Sequence, residues 1–209
     1  MVLYKMWQHL YLTFSALFCA AAIAIPLGFT LSRMKSRRIP IVVIRSAALV
    51  QTVPGLAMIA LIVVALAALQ PYIDLPTTGV MPAICVLTVY ALLPMLTSTY
   101  TGIKQVNPAL IDIAKGIGMR SRQILFLVEF PNALPVIMSG VRISAVWTIG
   151  MATLTSLIGS GGLGDLIMQG LRSMQLNLIL AGTIPAGCLA ILFEWGLSRV
   201  ERWLIGPCR

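Results

Sequence analysis

The side chains able to do chemistry gather in one polar stretch, "IDIAKGIGMRSRQILFLVEFPNALP" at residues 111–135, which carries Asp112, Lys115, Arg120, Arg122 and Glu129. Their types and spacing do not make a catalytic set. No cluster of carboxylates, histidines or nucleophiles stands together, as hydrolysis or metal chemistry would require. Charge interrupted by Gly116 and Gly118 suits a different task, because glycine lets a backbone turn tightly and come close to a partner. The chemistry this stretch can offer is recognition.

A second spacing invites a chemical reading. Residues 159–164, "GSGGLG", place Gly159, Gly161, Gly162 and Gly164 in a G-x-G-x-x-G pattern. Phosphate binding through that pattern needs a preceding strand and a βαβ unit; here the preceding residues are a long apolar run. The four glycines are therefore expected to form a tight turn. No G-x-x-x-x-G-K-[ST] occurs in the chain, so no ATP and no other cofactor or metal is assigned to it. Cys19, Cys85, Cys188 and Cys208 form no C-x-x-C pair and read as small hydrophobic residues. The single histidine, His9, reads as a surface or packing residue.

The elements that must position these residues follow from composition. Of 209 residues, 59% are hydrophobic and 10% charged, against about 45–50% and about 25% in soluble domains. With a mean hydropathy of +0.96, the chain lacks the polar surface to face water all round. It reads as an all-α integral membrane protein. The net charge of +9 falls between apolar runs and not along one helical face, which argues against nucleic-acid binding.

A crossing helix needs about 20 apolar residues. Five spans are expected, near 10–31, 45–69, 79–103, 133–157 and 177–198, in a single domain over 1–209 with a polar loop at 104–131. Arg33, Lys35, Arg37 and Arg38 follow the first span; Lys104, Lys115, Arg120 and Arg122 follow the third; Arg199, Arg202 and Arg209 end the chain. The opposite loops hold only Lys5 and Arg172. Basic residues concentrate on the cytoplasmic side, which puts the N-terminus outside and the C-terminus inside. Tyr4, Trp7 and Tyr11 then anchor the outer interface, and Trp195 and Trp203 the inner one.

Within the polar loop, Asn107-Pro108 is a helix start: Asn caps free amides and Pro suits the first helical position. The helix "ALIDIAK" is expected to put Leu110, Ile111 and Ala114 on one side, to hold Asp112 in its early turns, and to end at Gly116 and Gly118. A second short helix, "RQILFLVE", is expected to be capped by Ser121 and closed by Pro131 before the fourth span begins near Asn132.

The spacing of Asp112, Ala114, Gly118 and Val128-Glu129-Phe130-Pro131 resembles the coupling loop of ABC importer permeases. The family pattern opens Glu-Ala-Ala; Asp112 and Ile113 depart from it. The likeness extends to "VQTVPGLAMIALIVVALAALQP" and "ALPVIMSGVRISAVWTIGMATLTSLIGSGGLGDLI", which look like the branch serving quaternary-ammonium osmoprotectants such as glycine betaine, choline and carnitine. Methionine-importer permeases share the five-span core, so methionine or another small amino-acid-like solute is the second reading.

The resemblance implies a multi-pass permease of the bacterial inner membrane, not itself an enzyme. It also implies a second permease subunit, the same or related, and an extracytoplasmic solute-binding protein. A cytoplasmic ATPase dimer, with ATP and magnesium held there, would dock on Asp112, Ala114, Lys115, Gly116, Gly118 and Pro131. The rival of another class is a self-contained channel or secondary carrier. The spans hold no ionisable residue at their centres, which counts against a proton-coupled carrier, and Arg142 reads as an anchor near the inner end of the fourth span. Gln51, Pro54, Thr97, Thr153 and Ser156 are the candidates for a polar path. No cluster of aromatics is evident in the spans, so selectivity is expected to lie in the external binding protein.

Overall fold

The computed structural model describes residues 1–205. Cys208 and Arg209, and with them the last residues of the expected domain, lie outside the described residues. The described residues are helical throughout, with no strand: α1 (Val2–Arg33), α2 (Arg38–Gln51), α3 (Gly55–Leu69), α4 (Val80–Lys104), α5 (Pro108–Gly116), α6 (Ser121–Ile124), α7 (Phe130–Ala152), α8 (Gly164–Ser173) and α9 (Leu176–Ile205). A π turn at Leu125–Glu129 joins α6 to α7, so one helix runs over Ser121–Ala152. Four helices are long and apolar enough to cross a membrane, and α2 with α3 would make a fifth if the bent pair counts as one.

The core lies where α1, α4 and α7 cross. Leu17, Ala20, Ala24, Leu31, Ala91, Met95, Leu96 and Ala145 form its largest buried cluster. Half of these are alanine, because helices in lipid gain little from burying apolar surface against one another and rely on close backbone approach instead. Gly140 shows how close: a Cβ there would sit 2.5 Å from the Ser98 Cβ and 2.7 Å from the Pro94 carbonyl oxygen. α9 packs on α7 and on α8.

Three expectations about the elements need correction. The second span, expected over 45–69, is two helices, α2 and α3, that meet at 104°. Pro54 precedes α3 and cannot donate to a helix, and the carbonyl freed at Val53 is taken up by the Tyr90 hydroxyl at 2.5 Å. Gln51 completes the tie. Pro94 lacks the N–H that would bond the Tyr90 carbonyl four residues back, and the Gln51 amide donates to that carbonyl at 2.7 Å. Break and kink satisfy each other, as freed backbone must at this depth.

Pro131 does not close a helix, and the short helix expected at 121–131 is instead the start of the third long helix, Ser121–Ala152, twelve residues before the 133 expected for that span. The ladder widens at Leu125–Glu129, where the Phe130 N–H reaches back to the Leu125 carbonyl, and the Asn132 side chain donates to the Val128 carbonyl at 2.6 Å. The widened turn carries the chain past the proline. Ser121 is the first helical residue there; Arg120 is the N-cap.

The third correction is an addition. α7 stops at Ala152, a 3₁₀ turn covers Leu154–Ile158, and the short amphipathic helix α8 follows the glycines where only a loop was expected.

Candidate functional site

α5 hangs at the end of the bundle where α4 stops and the Ser121–Ala152 helix starts. Its beginning is as the sequence indicated: the Asn107 Oδ1 accepts from the Ala109 N–H at 3.0 Å and Pro108 holds the first position. Its end is set by Gly118, at φ 83°. The Gly118 N–H donates to the Lys115 carbonyl at 2.9 Å and the Met119 N–H to the Ala114 carbonyl at 3.0 Å, the paired bonds of a Schellman stop.

Burial divides the helix sharply. Ala114 is buried, and Ile111 packs against a cluster of Ile103, Val106, Ala133 and Ile137. Leu110, expected on that side, is exposed. Asp112 stands mid-helix and not in the first turn, where no acidic residue lies. It is 73% exposed and pairs with Lys115 at 3.3 Å. Beside them Ile113 and Ile117 are 63% and 70% exposed, and nothing lies within 4 Å of a Cβ built on Gly116 or Gly118. The result is an open face of two isoleucines, an ion pair and two bare glycines. Pro131 lies apart from this face, within the long helix behind it.

An ion pair that no local signal announces fastens this region to the bundle. Arg33, at the C-terminus of α1, pairs with Glu129 in the π turn; Glu129 is buried and Arg33 nearly half exposed. The Phe29 and Phe130 rings lie 5.8 Å apart beside it. Arg33→Ala leaves a buried carboxylate without its cation. The expected loss is about 2 kcal/mol, below the ~3–5 of a fully buried pair because Arg33 meets solvent. Glu129→Gln in the same background should recover most of it. Thermal melting of the detergent-solubilised variants checks both.

At the opposite end, Gly159, Gly161 and Gly162 all take positive φ, at 77°, 79° and 89°. The turn they make packs on the start of α1. The Gly162 N–H donates to the Gln8 Oε1 at 3.1 Å, and Lys5 pairs with Asp165 at 2.5 Å. His9 is fully buried beneath the turn, with Nε2 3.1 Å from the Ile149 carbonyl, so its role is packing. What precedes the glycines is a 3₁₀ turn and not a strand, so the fingerprint lacks its structural context.

The path candidates fall into different surroundings. Gln51 and Pro54 sit at the α2–α3 break. Gly55, next to Pro54, packs on Met151 and Leu154, which brings the break beside the Thr153–Ser156 turn. Thr153 donates to the Gly150 carbonyl and Ser156 to the Thr153 carbonyl. Thr97 donates to the Leu93 and Pro94 carbonyls of its own kinked helix.

Arg142 meets a partner on another helix. Ser144, two residues on, donates to the Ala91 carbonyl at 2.7 Å, and Ala91 stands halfway along α4. Arg142 thus lies near the middle of the bundle, 3.2 Å from Glu201 of α9. The sequence could have shown it: Arg142 and Glu194 both interrupt otherwise apolar runs.

Long apolar helices crossing through small residues, with a short helix exposed at one end, are those of a multi-pass membrane protein. The chain belongs to the family of binding-protein-dependent transport system inner membrane components, whose model matches residues 24–205. It is 42% identical over 200 residues to the carnitine transport permease protein OpuCB of Listeria monocytogenes, covering 96% of this chain and 86% of that one. It is 43% identical over 201 residues to the glycine betaine/carnitine/choline transport system permease protein OpuCB of Bacillus subtilis, covering 96% and 87%. The fold is similar to a chain of the MetNI methionine ABC transporter in an inward-facing conformation, with a TM-score of 0.84, 97% and 96% coverage and 19% identity.

Proposed function

We propose that this chain is the membrane-spanning permease of an ATP-driven importer of quaternary-ammonium osmoprotectants. The observation that carries the solute class is identity above 40%, over nearly the whole chain, to permeases named for carnitine, glycine betaine and choline. The likeness to the methionine transporter, at 19% identity, speaks for the fold alone.

In this reading the open face of α5 docks into a cytoplasmic ATPase dimer, which holds ATP and magnesium. A second permease, the same chain or a relative, completes the pathway, and an extracytoplasmic binding protein delivers the solute. What supports a docking role for α5 is its exposed Ile113 and Ile117 beside a charge pair, with glycines that admit close backbone approach. The α2–α3 pair serves as the second of five spans. The N-terminus lies outside, an orientation supported by the basic residues that follow α1, α4 and α5.

The test is uptake by proteoliposomes containing the permease, its ATPase and its binding protein. ATP-dependent accumulation of radiolabelled glycine betaine, competed by choline or carnitine and not by methionine, is the expected outcome. Methionine accumulation would move the solute to the second class. Solute flux that needs no ATP would return the chain to the channel or carrier reading.

A further inference from the structure

Ionisable side chains on membrane-crossing helices are held away from lipid, facing a water-filled cavity or one another. Arg142 and Glu194 meet that condition at a single place. Between α7 and α9 lies a cavity of about 400 Å³ lined by Ser139, Arg142, Ile143, Val146, Trp147 and Glu194. Its size falls within the ~300–1,000 Å³ typical of small-molecule sites.

Depth argues that the cavity is more than an interfacial dent. Ser144 is bonded to Ala91 at the midpoint of α4. Arg142 lies two residues from it and Trp147 three, about 3–5 Å along the axis at ~1.5 Å per residue. Trp147, 60% exposed, lines the cavity. Arg142 spends one side of its guanidinium on Glu201 and has five N–H donors to place. Glu194 is exposed and forms no ion pair among the described residues.

These groups suit a quaternary ammonium. A quaternary ammonium has no N–H to donate, so it can be held only by a carboxylate, by the face of an aromatic ring and by apolar contact with its methyl groups. Glu194, Trp147, and Ile143 with Val146 supply the three. A carboxylate on the same solute would find the remaining donors of Arg142. We infer that the α7–α9 cavity is a binding station for quaternary-ammonium solutes within the permease, with Trp147 and Glu194 holding the ammonium and Arg142 the carboxylate of zwitterionic members. This inference rests on the solute class proposed above, and it gives the permease a share in selectivity that its sequence did not suggest.

The assembled transporter in proteoliposomes tests it, with radiolabelled glycine betaine (zwitterion) and choline (cation) as probes. Trp147→Ala should lower uptake of both by about tenfold, as loss of a desolvated cation–π contact does, and Trp147→Phe should keep most of it. Glu194→Gln should reduce choline uptake more than glycine betaine uptake, because only the zwitterion keeps a second charged handle on Arg142. Binding-protein-stimulated ATP hydrolysis should persist, showing that the complex is assembled. If the parent complex carries both probes and these variants leave uptake and the choline-to-betaine ratio unchanged, the station is overturned while the solute class stands. If the parent carries neither probe, the solute class itself fails. Should Trp147→Ala not assemble, the ratio in Glu194→Gln decides alone.

Discussion

Asp112→Lys and Gly118→Trp will each leave the protein inserted and folded while solute uptake falls by about a hundredfold, the scale of losing a central contact in a protein–protein interface. The fold has little at stake at either position. Asp112 is 73% exposed and its ion pair with Lys115 is a surface pair, a kind that contributes little to stability. Gly118 has open space around it, so a tryptophan meets no neighbour in this chain. Its φ of 83° makes the substitution strained by about 1–2 kcal/mol, a local distortion of the Schellman stop. Both changes alter the face that the proposed ATPase must grip. The measurement is paired: ATP hydrolysis and uptake by the purified complex, with membrane recovery of each variant as the control. Normal uptake by both variants would show that α5 does not couple the two subunits.

The second large effect lies at the other end of the bundle. Gly164→Ala will destabilise the protein far more than Gly159→Ala, although each adds one methyl group to a glycine of the same turn. A Cβ at Gly164 would overlap the Thr153 carbonyl and approach the Ser156 Oγ to 2.8 Å. A backbone carbonyl cannot swing away as a side chain can, so the start of α8 must move off the 3₁₀ turn, at an expected cost of about 3 kcal/mol. Gly159 has nothing within 4 Å, and its substitution meets only the strain of a φ of 77°, about 1–2 kcal/mol. In a domain of this size the Gly164 variant should melt roughly 6–12 °C below the parent. Indistinguishable melting of the two variants would mean that α8 is not seated on Thr153.

Both predictions rest on features of unequal legibility. α5 could be read almost residue by residue, since its start and stop are short-range: an Asn side chain two positions from the amide that donates to it, and a glycine that takes positive φ without strain. The departure of Ile113 from the family's small residue was also legible, and the structure puts that side chain on the open face. Asp112 falls in the second turn of the nine-residue helix, past the first turn where the helix dipole acts most. The long elements were legible for a similar reason. A run of apolar residues has only one way to satisfy its backbone in lipid, and α4 accordingly lies within a residue of its expected bounds.

What only the tertiary structure decided is where helices pass through a proline and where they break. Pro131 and Pro54 look alike in sequence, yet one sits inside a continuous helix and the other at a 104° bend. The surroundings differ: before Pro131 the ladder widens to a Phe130–Leu125 bond and the helix goes on, whereas beside Pro54 the Val53 carbonyl is taken by Tyr90, 37 residues away. The ion pairs follow the same logic. Arg33 meets Glu129 across 96 residues, and Arg142 meets Glu201 on another helix, so no local pattern could pair them. Taken by itself, the sequence determined the class of protein, the expected family and the helix offered at one end, because hydropathy and capping act between near neighbours. The bend, the passage through Pro131 and the polar cavity beside Arg142 were decided by packing, which brings together polar groups distant in sequence.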